Sequence, residues 1–211
     1  MDHSVNRRIS QWVTPRLLPL RVTPNQVTLL SLAAGLIGAW HFQEGTGRAW
    51  LAGAVWLQVS YLLDNCDGEL ARMTGRSTGF GSWLDTIADC IVHAAFFFSL
   101  GLGISRSHSH PIWLWLGVLA AAGVFLTYLT SVLRQVRLRG VSAWLHPDPL
   151  PGSEPADFWG RARAALRADF SLVVLGSALV GQMAWLLWGG FFGAFLYWVS
   201  DALFLAARGR R

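Results

Sequence analysis

The sequence contains no lysine; every one of its 17 basic residues is arginine. Any cationic task in the chain therefore falls to guanidinium groups. Cysteine is almost as scarce, with only Cys66 and Cys90, and this excludes a disulfide framework. Charged residues make up 14% of the chain against 53% hydrophobic residues, a balance that excludes the usual solvated surface of a soluble domain. The first 26 residues hold no short apolar core followed by small residues, so no cleavable signal peptide is expected. Tryptophan, by contrast, is plentiful at 12 residues, as suits a membrane protein.

Apolar stretches at 27–42, 49–63, 83–104, 111–133, 170–188 and 189–207 each approach or reach the length that crosses a bilayer. The shorter ones become adequate when extended into their polar neighbours. The last two adjoin, and residues 170–207 as one helix would run about 57 Å, too far for a single crossing. Gly189-Gly190 is the expected break. Before the first span, Val5, Ile9, Trp12 and Val13 fall on one helical face among four arginines, which predicts an amphipathic helix lying in the interface within residues 1–24. An ordinary charged leader is the simpler alternative. The expected fold is thus an all-α integral membrane protein, a single domain over 1–211 with six transmembrane helices and an N-terminal interfacial helix.

Orientation follows from the arginines. With the N-terminus inside, Arg7, Arg8, Arg16, Arg21, Arg72, Arg76, the group within 134–167, and Arg208, Arg210 and Arg211 all fall inside. Only Arg48 and Arg106 fall outside. This bias predicts that both termini face the cytoplasm. Residues 140–165, rich in proline and acids, read as a cytoplasmic loop.

Between Asp64 and Asp89 the chain places four aspartates where apolar sequence is the rule. A carboxylate near the hydrocarbon core costs several kcal/mol, so four of them need compensation, and a divalent cation compensates several at once. On a helix Asp64 and Asp67 are i,i+3 neighbours, with Gly68 and Ala71 continuing the same stripe. Asp85 and Asp89 are i,i+4 neighbours, with Gly81 one turn earlier. Facing the two stripes puts four carboxylates around one small cavity that the glycines keep open. Hard oxygen ligands of this kind suit magnesium or manganese. Glu69 points away from the aspartate stripe and is expected to be solvated or interfacial. His93, one turn beyond Asp89, reads as a packed or hydrogen-bonded histidine or as a further metal ligand. Cys66 and Cys90 are expected to pack as small hydrophobes.

The run Asp64-x2-Asp67-Gly68-x2-Ala71-Arg72-x8-Gly81-x3-Asp85-x3-Asp89 matches the pattern of the CDP-alcohol phosphotransferases at every fixed position. The chain therefore resembles that family of membrane enzymes, which move a substituted phosphate from a cytidine diphosphate donor to an alcohol. The resemblance implies two Mg2+ or Mn2+ ions held by Asp64, Asp67, Asp85 and Asp89, with Asp89 as general base and CMP as leaving group. It implies donor contacts from Gly68, Arg72 and Thr78, with Ala71 and Gly81 making room. A topology anchor is the lesser alternative for Arg72. Pro24-Asn25-x-x-Thr28 resembles a helix start that helps hold the nucleotide in the family, so Asn25 and Thr28 join the donor set; Thr28 also reads as a plain helix-interior hydroxyl.

The expected donor is CDP-diacylglycerol and the product a phospholipid or its precursor. The acceptor is an alcohol such as inositol phosphate or glycerol phosphate, for which Arg134, Arg137, Arg161 and Arg163 offer a basic pocket. The same arginines read as partners of anionic lipid. Relatives are commonly homodimers, which extends the expected partners to a second copy alongside membrane lipid; nucleic acid is not expected. The expected location is a bacterial inner (cytoplasmic) membrane, and the arginine bias turns the active site toward the cytoplasm. Two other readings compete: a transferase using a water-soluble CDP-polyol, and a divalent-cation carrier. A carrier needs carboxylates along a path through several spans, whereas these cluster at one end of two.

Overall fold

The computed structural model describes residues 5–139 and 169–208, and all regular structure in them is helical. Helix α1 (Val5–Leu17) is followed by a short 3-10 turn at Leu18–Leu20, then α2 (Pro24–Phe42), α3 (Gly47–Thr74), α4 (Gly79–His108) and α5 (Ile112–Arg139). After the 140–168 segment, which lies outside the described residues together with the expected loop at 140–165, come α6 (Phe170–Val180) and α7 (Met183–Arg208).

Local chemistry sets these boundaries. Thr23 accepts from the Gln26 backbone while the Gln26 side chain accepts from the Thr23 N–H, a reciprocal cap placed just before Pro24. Thr46 and Thr78 cap α3 and α4 without that reciprocity, their hydroxyls accepting from the backbone N–H groups of Ala49 and Gly81. Gly75, at φ +65°, ends α3 in the left-handed conformation, so only the four residues Gly75–Thr78 separate α3 from α4. That tight connection brings the C-terminal end of α3 and the N-terminal end of α4 together at one end of the bundle.

The core is built from Phe42, Leu57, Phe96, Leu100, Ile104, Val174, Met183 and Leu187, drawn from α2, α3, α4, α6 and α7. The helices approach closely where glycines face each other. A Cβ on Gly38 would lie 2.9 Å from the carbonyl oxygen of Gly53, locking α2 to α3, and one on Gly101 would lie 2.6 Å from the Cα of Gly117, locking α4 to α5.

Two helices among the described residues, Gly79–His108 and Ile112–Leu133, are long and apolar enough to cross a membrane. The expected break at Gly189-Gly190 does not occur. Helix α7 runs unbroken through both glycines, and the chain breaks instead at Gly181, whose φ of +74° a residue with a side chain would rarely adopt. Its N–H and that of Gln182 close back on Ala178 and Ser177. At Gly190 the Phe97 ring of α4 packs into the space a side chain would need. A Cβ added at Gly189 or Gly193 would meet nothing within 4 Å among the described residues.

Helix α1 has the expected amphipathic character with an unexpected partner. Its apolar residues Val5, Ile9 and Trp12 are exposed, while Asn6, Ser10 and Thr14 are fully buried against the bundle. The polar stripe finds polar partners there. Asn6 donates to Ser171, the Val5 and Asn6 backbone amides donate to the Asp169 carboxylate, and Gln58 donates to Asn6. Glu69 is not solvated; it is buried and accepts from Ser10 at 2.8 Å and from Thr14 at 2.7 Å. An acid inside the bundle needs such donors. Periodicity showed which faces of α1 differ, but not which one the protein would claim.

Candidate functional site

Asp64 and Asp67 sit on α3, and Asp85 sits on α4 just past the tight connection. Each offers a carboxylate oxygen, and these atoms lie within 4.8 Å of one another. Asp67 is buried, and Asp64 and Asp85 are half-buried. Among the described residues no basic side chain pairs with any of the three. Three anionic groups this close repel one another strongly away from bulk water, and a cation among them relieves that repulsion. The set is all hard oxygen, which fits magnesium or manganese and not a thiophilic metal.

Asp89 stands slightly apart from this triad. One turn beyond Asp85, its Oδ2 accepts a hydrogen bond from the Tyr128 hydroxyl on α5 at 3.3 Å. Its backbone carbonyl meets His93 Nδ1 at 2.7 Å, and His93 Nε2 meets the Tyr61 hydroxyl at 2.6 Å. A carbonyl only accepts, so Nδ1 donates; in the neutral ring Nε2 then accepts from Tyr61. His93 is therefore hydrogen-bonded at both nitrogens and does not belong to the three-carboxylate group.

Helix α2 delivers two further residues to the same end. The Thr28 hydroxyl, 2% exposed, donates to Asp67 Oδ2 at 2.6 Å. Sequence reasoning gave Thr28 to the nucleotide or to its own helix; its hydroxyl does lie 3.2 Å from the Pro24 carbonyl oxygen of its own helix, and it makes the shorter contact with a carboxylate of the triad. Asn25 Oδ1 and Thr78 Oγ1 flank Gly81, where an added Cβ would meet them at 3.0 and 3.2 Å. Asn25, Thr78 and Gly81 thus come together at the mouth of the α3–α4 junction. Arg72 is exposed and folds back over Gly68, with Nη1 3.4 Å from where a Gly68 Cβ would be. Ala71 lies half-buried one position earlier. Of the basic residues assigned to an acceptor, Arg134 and Arg137 fall on the last turns of α5 with their side chains outside the described residues, and Arg161 and Arg163 lie wholly outside them.

Sequence reasoning missed Tyr61, Tyr128 and Glu69. Tyr128 lies 39 positions from Asp89 on another helix, and only helix packing joins them. For Glu69 a signal existed in the Ser10/Thr14 spacing of α1, a polar i,i+4 stripe as continuous as the apolar one.

A family model described as CDP-alcohol phosphatidyltransferase matches residues 21–199. Among curated proteins, the chain is 35% identical over 102 residues to a bifunctional IPC transferase and DIPP synthase of Aquifex aeolicus, covering 47% of this chain and 22% of that protein. It is 37% identical over 84 residues to an archaetidylinositol phosphate synthase of Pyrococcus horikoshii, covering 40% of this chain and 43% of that one. A phosphatidylinositol phosphate synthase of Corynebacterium glutamicum is 40% identical over 87 residues, covering 40% of this chain and 38% of the relative. The matched region thus spans about a fifth of the Aquifex protein and under half of the other two. Among solved structures, phosphatidylinositol phosphate synthase of Mycobacterium tuberculosis with CDP-DAG bound superposes with a TM-score of 0.62 at 24% identity, covering 92% of both chains. At that identity the superposition speaks for the fold.

Proposed function

This chain belongs to the CDP-alcohol phosphatidyltransferase family, and from that premise we propose that it transfers a phosphatidyl group from CDP-diacylglycerol to the hydroxyl of a phosphorylated polyol, releasing CMP. The observation that carries this reading is the convergence of Asp64, Asp67 and Asp85 within 4.8 Å at the α3–α4 junction. An inositol phosphate is the favoured acceptor, since the Pyrococcus and Corynebacterium relatives are named for products of that class. CDP-diacylglycerol is the favoured donor, since the neighbouring mycobacterial fold holds it.

In this reading Asp64, Asp67 and Asp85 hold Mg2+ or Mn2+, with Asp89 alongside as the expected fourth carboxylate of a two-ion set. Bound there, the metal supplies positive charge that neutralises the diphosphate and the charge developing on the leaving group. The chain's own residues do the rest. Asn25, Gly68, Ala71, Arg72, Thr78 and Gly81 line the donor side, the glycines and the alanine admitting the diphosphate without a clash. Asp89 takes the proton of the acceptor hydroxyl as its oxygen bonds to the phosphorus distal to cytidine. The bond from that phosphorus to the bridging oxygen breaks, and CMP leaves with the electron pair. Arg134, Arg137, Arg161 and Arg163 are proposed to bind the acceptor phosphate.

The same reading makes the whole 1–211 chain one membrane domain with six spans, α1 on the cytoplasmic interface and the site open to the cytoplasm of a bacterial inner membrane. The outward apolar face of α1 supports that placement. The test is direct. Purified protein is given CDP-diacylglycerol or a water-soluble CDP-polyol with a panel of alcohols and phosphorylated polyols, and the products are identified by mass spectrometry. A phosphatidyl polyol phosphate and stoichiometric CMP are expected; CMP released only with the soluble donor would replace the lipid donor, and no CMP with any donor would refute the reading.

A further inference from the structure

We infer that Tyr128 is a positioning residue for Asp89, holding one of its carboxylate oxygens so that the other stays aimed at the acceptor hydroxyl. The inference rests on the proposed role of Asp89 as base and adds a residue to it. Among the described residues, the Tyr128 hydroxyl is the sole hydrogen-bond partner of the Asp89 carboxylate, meeting Oδ2 at 3.3 Å. The terminal torsion of an aspartate is soft, with broad wells. An untethered Asp89 could rotate and turn its free oxygen away from the acceptor hydroxyl. The phenol opposes that rotation, and Asp89 stands outside the group formed by Asp64, Asp67 and Asp85.

The phenol is itself held in place. Its ring lies 6.2 Å from that of His93, which is pinned by the Asp89 carbonyl at one nitrogen and by Tyr61 at the other. Phe170 closes the frame at 6.1 Å from His93 and 6.4 Å from Tyr61. Residues of α3, α4, α5 and α6 thus build one aromatic box whose inner hydroxyl points at a single carboxylate oxygen. A box built only to fill space would have no need of two phenols and an imidazole; phenylalanine packs as well and leaves no polar atom to satisfy.

The test uses full-length Tyr128→Phe, which keeps the ring and removes the hydroxyl. CMP release is measured with CDP-diacylglycerol and inositol phosphate, and Mn2+ binding is followed separately by electron paramagnetic resonance without substrates. The expected result is kcat lower by about 10- to 100-fold, a part of the roughly 100- to 10,000-fold that a positioned base supplies. KM for the donor and the Mn2+ dissociation constant are expected to stay within about twofold of wild type, the scatter allowed for an untouched ligand set. A kcat equal to wild type would overturn the inference, because the ring alone would then suffice. Parallel loss of kcat, Mn2+ affinity and melting temperature would overturn it too, by showing a general structural role. Wild-type protein that releases no CMP would sink the proposed function instead, so the two failures are told apart.

Discussion

Replacing Thr28 by valine removes one hydroxyl from the wall behind the carboxylate triad and little else. Thr28 is 2% exposed and its hydroxyl donates to Asp67 Oδ2 at 2.6 Å, so bulk water cannot take the vacated place. A hydrogen bond to a charged group is worth about 1.5–3 kcal/mol. At about 1.4 kcal/mol per factor of ten, and with Asp67 free to turn once the donor is gone, metal binding should weaken by roughly 10- to 100-fold. The assay is a Mn2+ titration read by electron paramagnetic resonance, run beside the Mg2+ dependence of CMP release. Saturating metal should restore most of the rate, since Thr28 touches a ligand and not the base. Thr28→Ser keeps the hydroxyl and should stay near wild type. A Thr28→Val protein that binds Mn2+ within about threefold of wild type, well short of the orienting effect expected, would refute this reasoning.

Other perturbations separate the parts. Asp89→Asn should abolish CMP release while donor binding and Mn2+ binding persist, because it removes the proposed base and leaves the triad; normal turnover in that variant would show the base lies elsewhere. Glu69→Ala should loosen α1 by about 3 kcal/mol, the loss of two hydrogen bonds to one buried acid; limited proteolysis should then cut within Val5–Leu17 at lower protease, and unchanged protection would contradict the clip. Gly101→Ala places a methyl group 2.6 Å from the Gly117 Cα, and should lower stability by about 1–3 kcal/mol in a thermal unfolding scan. An unchanged melting temperature would mean that α4 and α5 separate without cost.

What could be read from the sequence was whatever depends on one helix at a time. Asp64 and Asp67 share a face because of their spacing, and Thr78 and Gly75 confine the α3–α4 connection, so the meeting of Asp85 with both was legible. The α6–α7 break was misplaced because Gly189-Gly190 and Gly181 look alike as letters. The structure tells them apart: Gly190 serves a close contact with the Phe97 ring inside a continuous helix, while Gly181 takes the left-handed φ of +74° that ends one. Helix α1 showed two unlike faces but gave no sign that Gln58, Glu69, Asp169 and Ser171 would line up to receive the polar one. The Thr28–Asp67 contact and the role of Tyr128 were beyond reach for the same reason. Each residue makes its decisive contact with a side chain 39 residues away, on another helix.

The central claim is that Asp64, Asp67 and Asp85 share one divalent cation. Anomalous scattering from Mn2+-soaked crystals tests it most directly. The account predicts a manganese peak enclosed by those three carboxylates and lost in Asp64→Asn protein. Density free of manganese at that junction under saturating Mn2+, with or without a peak elsewhere on the chain, would contradict it.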